Sequence, residues 1–450
     1  MTMKTPYAKH IFGNEVEEKL RSRRGWLTAG VASSISWPSL DVYVQHDGDE
    51  YFLRGSERDG KPSPPGITIE CNSNNTDEAL SKVYRFTSIL SWFMGGYVDV
   101  SGYIWGSHPC LYGNPRTVYS TLGIMGTKSF SCNHMPIIEH ENIRKALSFW
   151  REGQRLREVH PSYAFLSFYK VIESQFSNTK KKVEWISASI ENLTDQAAKR
   201  VAELRKEGID VSRHLFESGR CAVAHASFDG EIIDPDIPAD RKRLHTDLVV
   251  MEELARLYIR EELKVPDYRS LYDSRNRLAP WDSLLPERTL ETLKQGGTPE
   301  DCKELHGLAV SVGLWPDGPI AGLEEMTMHV DAFKDGVVKV VLINERKTVL
   351  LVFFLDYKSG KVHTDLKDGG LLYGKQEPEE IDVVSYATFF YKVLGNGIAE
   401  LTYGTLEPID CEVVIPVNII PPNPDEAIEE AVQRHRKECV VRNAVEGSEG

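Results

Sequence analysis

Arg220 and His225 lie five positions apart in the run Glu217-Ser218-Gly219-Arg220-Cys221-Ala222-Val223-Ala224-His225-Ala226, and these two residue types together suit phosphoryl chemistry. Histidine titrates near neutrality and can move a proton on or off a ribose 2'-OH or a leaving oxygen. Arginine is permanently charged and can neutralise a developing pentacoordinate phosphate. Neither step requires a metal. The spacing sets a condition, because five residues at about 100° each put the two side chains about 140° apart on a regular helix. They converge only where the helix end loosens or a partner chain contributes. The alternative is structural: Arg220 forms an interhelical ion pair with Glu173, and His225 sits at a helix C-terminus where the dipole favours it.

The elements that must position this pair read as helices from Glu139 to Lys264. Glu141 to Glu158 forms the first. Pro161 opens the second, with Phe165, Phe168, Tyr169, Ile172 and Phe176 on one apolar stripe. Lys181 to Glu207 is one bent helix or two joined near Thr194. A further helix runs from Val211 to Ala226 with Leu215, Gly219, Ala222, Val223 and Ala226 facing inward. The last starts near Asp240 and carries Leu244, Leu248, Met251, Ala255 and Ile259. Short connections make an antiparallel bundle the expected architecture.

With its aromatic-rich helix upstream and Arg-x4-His element, this segment resembles the HEPN superfamily of helical-bundle domains. The resemblance implies a homodimer. It also implies metal-independent endoribonuclease activity in which the RNA's own 2'-OH attacks and a 2',3'-cyclic phosphate is left. In that setting His225 would be the general acid/base and Arg220 the phosphate clamp. Catalytic members often carry a polar residue directly after the arginine, where this chain has Cys221, and degenerate members act as binding or dimerisation modules. The Arg-Cys-Ala-Val-Ala-His-Ala run, with a preceding helix ending in Ser91-Trp92, also resembles methylamine utilization protein J, which implies an accessory protein.

The flanks read differently. Leu40 to Val44 and Tyr51 to Leu53 are strands around Asp47-Gly48, a dipeptide suited to a tight hairpin. Asn75 to Glu78 opens a helix that ends at Gly95-Gly96, and Tyr97 to Trp105 returns to strand. Beyond Pro266 a linker-like stretch leads to a helix start at Thr298-Pro299-Glu300-Asp301. Strands follow over Val337 to Ile343, Thr348 to Tyr357, Leu401 to Leu406 and Cys411 to Ile420, with a helix over Glu380 to Leu394. The expected fold is α+β and multidomain: a mixed α/β domain over 1–135, a HEPN-like all-α bundle over 136–266, a mostly β acidic α+β domain over 267–430, and a mostly disordered tail over 431–450.

Charge restricts where RNA could bind. Lys and Arg minus Asp and Glu come to 0 for residues 1–138, −1 for 139–265 and −13 for 266–450. A phosphate backbone would be repelled by the last segment, which suits a protein partner instead. Basic clusters at Lys180, Lys181 and Lys182 and at Arg241, Lys242 and Arg243 are candidate substrate contacts, Lys180, Lys181, Lys182, Arg241 and Arg243 above all. Solvated helix ends explain them equally well.

Seven scattered cysteines without a Cys-x-x-Cys suit reduced thiols in a cytoplasmic protein. No apolar run is long enough for a membrane span, and no membrane partner is expected. Cys132, His134 and His140 match no standard ligand spacing, so neither a metal nor a cofactor is expected. Walker, Rossmann and Gly-x-Ser-x-Gly patterns are absent, which disfavours ATP-driven and serine-hydrolase chemistry. Two readings remain: a gated endoribonuclease of defence or toxin type, and a non-catalytic scaffold or accessory protein whose side chains make intrachain contacts.

Overall fold

Between Trp26 and Ser33 every residue is buried, which requires cover on both faces of that strand. In the computed structural model the described residues are 7–10, 14–21, 25–35, 37–38, 41–72, 75–115, 132, 134–224, 237–315, 317–374, 376–394, 398–412 and 424–446. The first strands are Trp26–Ser33 (β1), Val42–His46 (β2), Asp49–Arg54 (β3), Gly66–Glu70 (β4) and Val98–Gly106 (β5), with the helix Thr76–Phe93 (α1) between β4 and β5. β1 pairs antiparallel with β4 on one side and β5 on the other, and β3 pairs antiparallel with β4. The turn between β2 and β3 uses Asp47 and Gly48 at φ 53° and 81°, the left-handed conformation that this dipeptide favours. Asp77 and Glu78 lie in the first turn of α1, and Gly95 at φ 67° follows its end.

The central region is helical: Glu141–Leu156 (α2), Pro161–Glu173 (α3), Thr179–Ser189 (α4), Asp195–Lys206 (α5), Val211–His214 (α6), Ala222–Ala224 (α7) and Pro238–Leu257 (α8). A π-helical stretch, Leu215–Cys221, joins α6 to α7. Thr194 stands at the N-cap position of α5, so the 181–207 segment is two helices. The described residues divide into two compact units, one within Leu20–Pro38 and Gln45–Ser270, the other within Tyr7–Lys19, Ser39–Val44 and Leu271–Gly450. In the first unit the sheet-bearing part and the helices share a core. Trp92 of α1 meets Trp150 of α2 edge-on at 5.1 Å between ring centroids, and Trp150 meets Phe168 of α3 at 5.2 Å. The indole N–H of Trp92 donates to the Pro266 carbonyl at 3.2 Å.

The second unit is built on Tyr268–Ser274 (α9, whose last residues enter it), Glu287–Lys294 (α10), Ala309–Trp315 (β6), Met326–Lys334 (β7), Val337–Asn344 (β8), Val349–Asp356 (β9), Lys361–Thr364 (β10), Glu380–Leu394 (α11), Ile398–Thr402 (β11), Ile409–Glu412 (β12) and Pro424–Glu446 (α12). Its antiparallel sheet runs in the order β10-β9-β8-β7-β6-β11-β12. On β8 the burial alternates residue by residue, as one covered face demands. Phe389 and Val393 of α11 enter the sheet's core.

Four expectations for this unit are corrected. The stretch after Pro266 is no linker, because Leu278, Trp281 and Leu293 are fully buried and draw a 3-10 turn at Ala279–Leu284 and α10 onto the core. Thr298 to Asp301 starts no α-helix. Only the 3-10 turn Lys303–Leu305 follows, since Leu305 is already buried and β6 begins four residues later. The strand expected over 401–406 lies at Ile398–Thr402, with Gly404 turning at φ 55°. The expected tail continues as helix to Glu446, with Arg436 paired to Glu380 and Arg442 to Glu377. Residues 413–420, expected as strand, lie outside the described residues. No helix of the described residues is long and apolar enough to cross a membrane.

Candidate functional site

The apolar stripe of α3 determines where Arg220 can stand. Phe165, Phe168, Tyr169 and Ile172 are all fully buried, and Gly219 lies against the Phe165 ring so closely that an added Cβ would fall 2.5 Å from the ring carbon Cζ. Glycine is needed there for that approach. Gly219→Ala is accordingly expected to destabilise the protein by about 1–3 kcal/mol, the usual cost of overpacking a core. Denaturant titration checks this, and an unchanged midpoint would show that Phe165 yields freely. The π geometry of Leu215–Cys221 re-aims the side chains of this turn relative to a regular helix, a distortion that recurs at functional sites.

Arg220, immediately after that glycine, points back to the C-terminal end of α3. Its guanidinium Nη2 is 3.4 Å from Glu173 Oε1, and Lys182 Nζ is 2.8 Å from the same oxygen. The Lys182 side chain is 5% exposed and its ammonium lies over the rings of Tyr169, at 5.0 Å, and Phe216, at 5.7 Å. Burial pushes the Tyr169 phenol up, the Glu173 charge adds to this, and Arg220 opposes it. Thus two cations converge on one carboxylate inside the helical region. Lys182 is thereby removed from any surface that could meet a phosphate backbone. Its stem and its charge are both held internally, the ammonium on Glu173 and over the two rings, unlike the free substrate contact expected of it.

The other basic residues differ. Lys180 and Lys181 are exposed, and Lys180 faces Glu184 one turn on at 3.9 Å, as a solvated helix end would have it. Arg243 donates to the Ser218 carbonyl of the π segment at 3.2 Å. Arg241 sits on α8 with its side chain outside the described residues, and His225 lies outside them altogether.

A second charged cluster escaped sequence reasoning. His214 Nε2 is 2.8 Å from Asp247 Oδ2, and Arg200 donates from Nε to Asp247 Oδ1 at 2.9 Å. The Asp247 side chain is 3% exposed. Burial works against its ionisation, but the hydrogen bonds from His214 and Arg200 overcome this and hold the carboxyl below its ordinary range. His214 also lines a groove of about 740 Å³ with Asp210, Arg213, Glu217, Asp240 and Arg243. The groove carries both signs of charge, with Arg213 and Glu217 bonded across one helical turn at 2.9 Å. His245, two residues from Asp247 and on the same helix, was the nearer partner in sequence. The actual partner lies 33 positions upstream on another helix, and no local spacing signals it.

No curated protein and no solved structure matches this chain. Residues 146–260, the helical stretch that holds Glu173, Lys182, Arg220 and the His214–Asp247 pair, match the family model described as Methylamine utilization protein MauJ.

Proposed function

We propose that the MauJ-type helical domain is a non-catalytic binding module, and that its charged groove rather than an RNA-cleaving centre is its working surface. The observation that carries this is the convergence of Arg220 and Lys182 on Glu173. A phosphate clamp must present its charge to substrate, whereas this guanidinium and this ammonium both turn to one carboxylate of the same domain. The groove beside the π segment offers alternating donors and acceptors from Arg213, His214, Arg243, Asp210, Glu217 and Asp240, a pattern suited to a polar protein surface and unsuited to a uniformly anionic backbone.

Incubation of the purified protein with labelled mixed-sequence RNA in EDTA is expected to leave the RNA intact, and Arg220→Ala is expected to change thermal stability without changing that result. Cleavage to 2',3'-cyclic phosphate ends, abolished by both Arg220→Ala and His225→Ala, would overturn the reading in favour of the endoribonuclease.

A further inference from the structure

Helix α11 carries more aromatic surface than the sheet beneath it covers. Phe389 and Val393 enter the core, while Tyr386, Phe390 and Tyr391 remain half-buried on the flank that meets α12. Opposite this flank α12 supplies the small Ala431 and then Arg434, His435 and Glu438. Bulky rings facing an alanine and polar side chains cannot close on one another, and a cavity of about 330 Å³ is left between the two helices, in the size range of small-molecule sites.

We propose that this cavity binds a planar aromatic anion, with the α11 rings stacking on its ring, His435 donating a hydrogen bond to its acidic group and Arg434 neutralising its charge. His435 is 7% exposed, yet its Nδ1 is buried without a hydrogen-bond partner among the described residues. The other ring nitrogen, Nε2, lies 3.5 Å from the Cys439 thiol. In the tautomer protonated at Nδ1, where Nε2 accepts from the thiol, Nδ1 is a donor, the polarity an anionic oxygen needs.

The arrangement of charges also selects an anion. Glu438 and Glu377 both face Arg442, and Glu380 is paired with Arg436. Arg434 makes no ion pair among the described residues, and it is exposed. Arg442 already occupies a face of Tyr373 at 4.8 Å, which leaves that ring less open to a cationic ligand. The site lies in the second compact unit and does not depend on how the helical domain is read.

Isothermal titration of the full chain with 2-naphthoate, and separately with 2-naphthylmethylammonium, tests the proposal. Saturable binding of the carboxylate is expected, weakened about tenfold or more by Phe390→Ala and by Arg434→Gln, with no comparable binding of the ammonium. Arg434 is exposed, so its variant folds even where Phe390→Ala does not. Absence of saturable carboxylate binding at millimolar concentration, preference for the ammonium, or carboxylate binding that Arg434→Gln leaves unchanged would each overturn it.

Discussion

Glu173→Leu is expected to lower the unfolding free energy by about 2–4 kcal/mol, somewhat under the range for a fully buried ion pair because Glu173 keeps partial access to water. The substitution leaves the Lys182 ammonium, on a side chain 5% exposed, without the carboxylate it touches at 2.8 Å. Arg220 loses its contact with Glu173 at the same stroke, though its guanidinium retains more solvent. The double variant Glu173→Leu with Lys182→Met is expected to recover most of the loss. It removes the buried charge together with its partner, and the remaining rings of Tyr169 and Phe216 suit an unbranched apolar side chain. Urea titrations of the two single variants and the double variant measure this. A Glu173→Leu protein as stable as the wild type would show that the cluster contributes nothing, and would return Arg220 to the list of side chains available for chemistry.

The second large effect belongs to Asp247. Asp247→Asn is expected to cost about 3–5 kcal/mol, since it withdraws the carboxylate charge on which Arg200 and His214 converge at a position 2% exposed. This contribution has a defined dependence on pH. Burial alone would raise the carboxyl's pKa, but hydrogen bonds from His214 and Arg200 place it below its ordinary value of 3.8. A folded value below the unfolded one means that the stabilisation is complete above pH 3.8 and is lost as pH falls from there through the folded value. The wild type and Asp247→Asn should therefore differ most at neutral pH and converge in strong acid. Parallel curves across the acid range would show that the carboxylate's charge is not what stabilises the domain.

Both effects concern residues whose surroundings are only partly readable along the chain. The core face of α3 is legible because a helix repeats every 3.6 residues, so Phe165, Phe168, Tyr169 and Ile172 fall on one side whatever packs there. The inward position of Gly219 follows from the same periodicity, as does the pairing of strands around Asp47-Gly48 from the positive φ that this dipeptide tolerates. The Glu173 and Arg220 ion pair was one of two alternatives open at that level, and periodicity could not choose between them. The stretch after Pro266 misleads for the opposite reason. Its helices are short and interrupted, and only the burial of Leu278, Trp281 and Leu293 against a sheet made from residues downstream stabilises them.

The amino-acid sequence by itself determined the local elements: a helical centre between sheet-rich flanks, the reach of α3 and α11, and an acid excess confined to the last part of the chain. Those follow from periodicity, capping and composition, which act over a few neighbouring residues. Which charges meet was decided only in three dimensions. Lys182 stands in a run of three lysines but is buried between Tyr169, Phe216 and Glu173, and Asp247 takes His214 from 33 positions away in preference to His245 two positions off. Partner choice of that kind depends on the crossing of helices distant in the chain, because a charge entering a low-dielectric core is held by whichever opposite group the packing brings within about 3 Å.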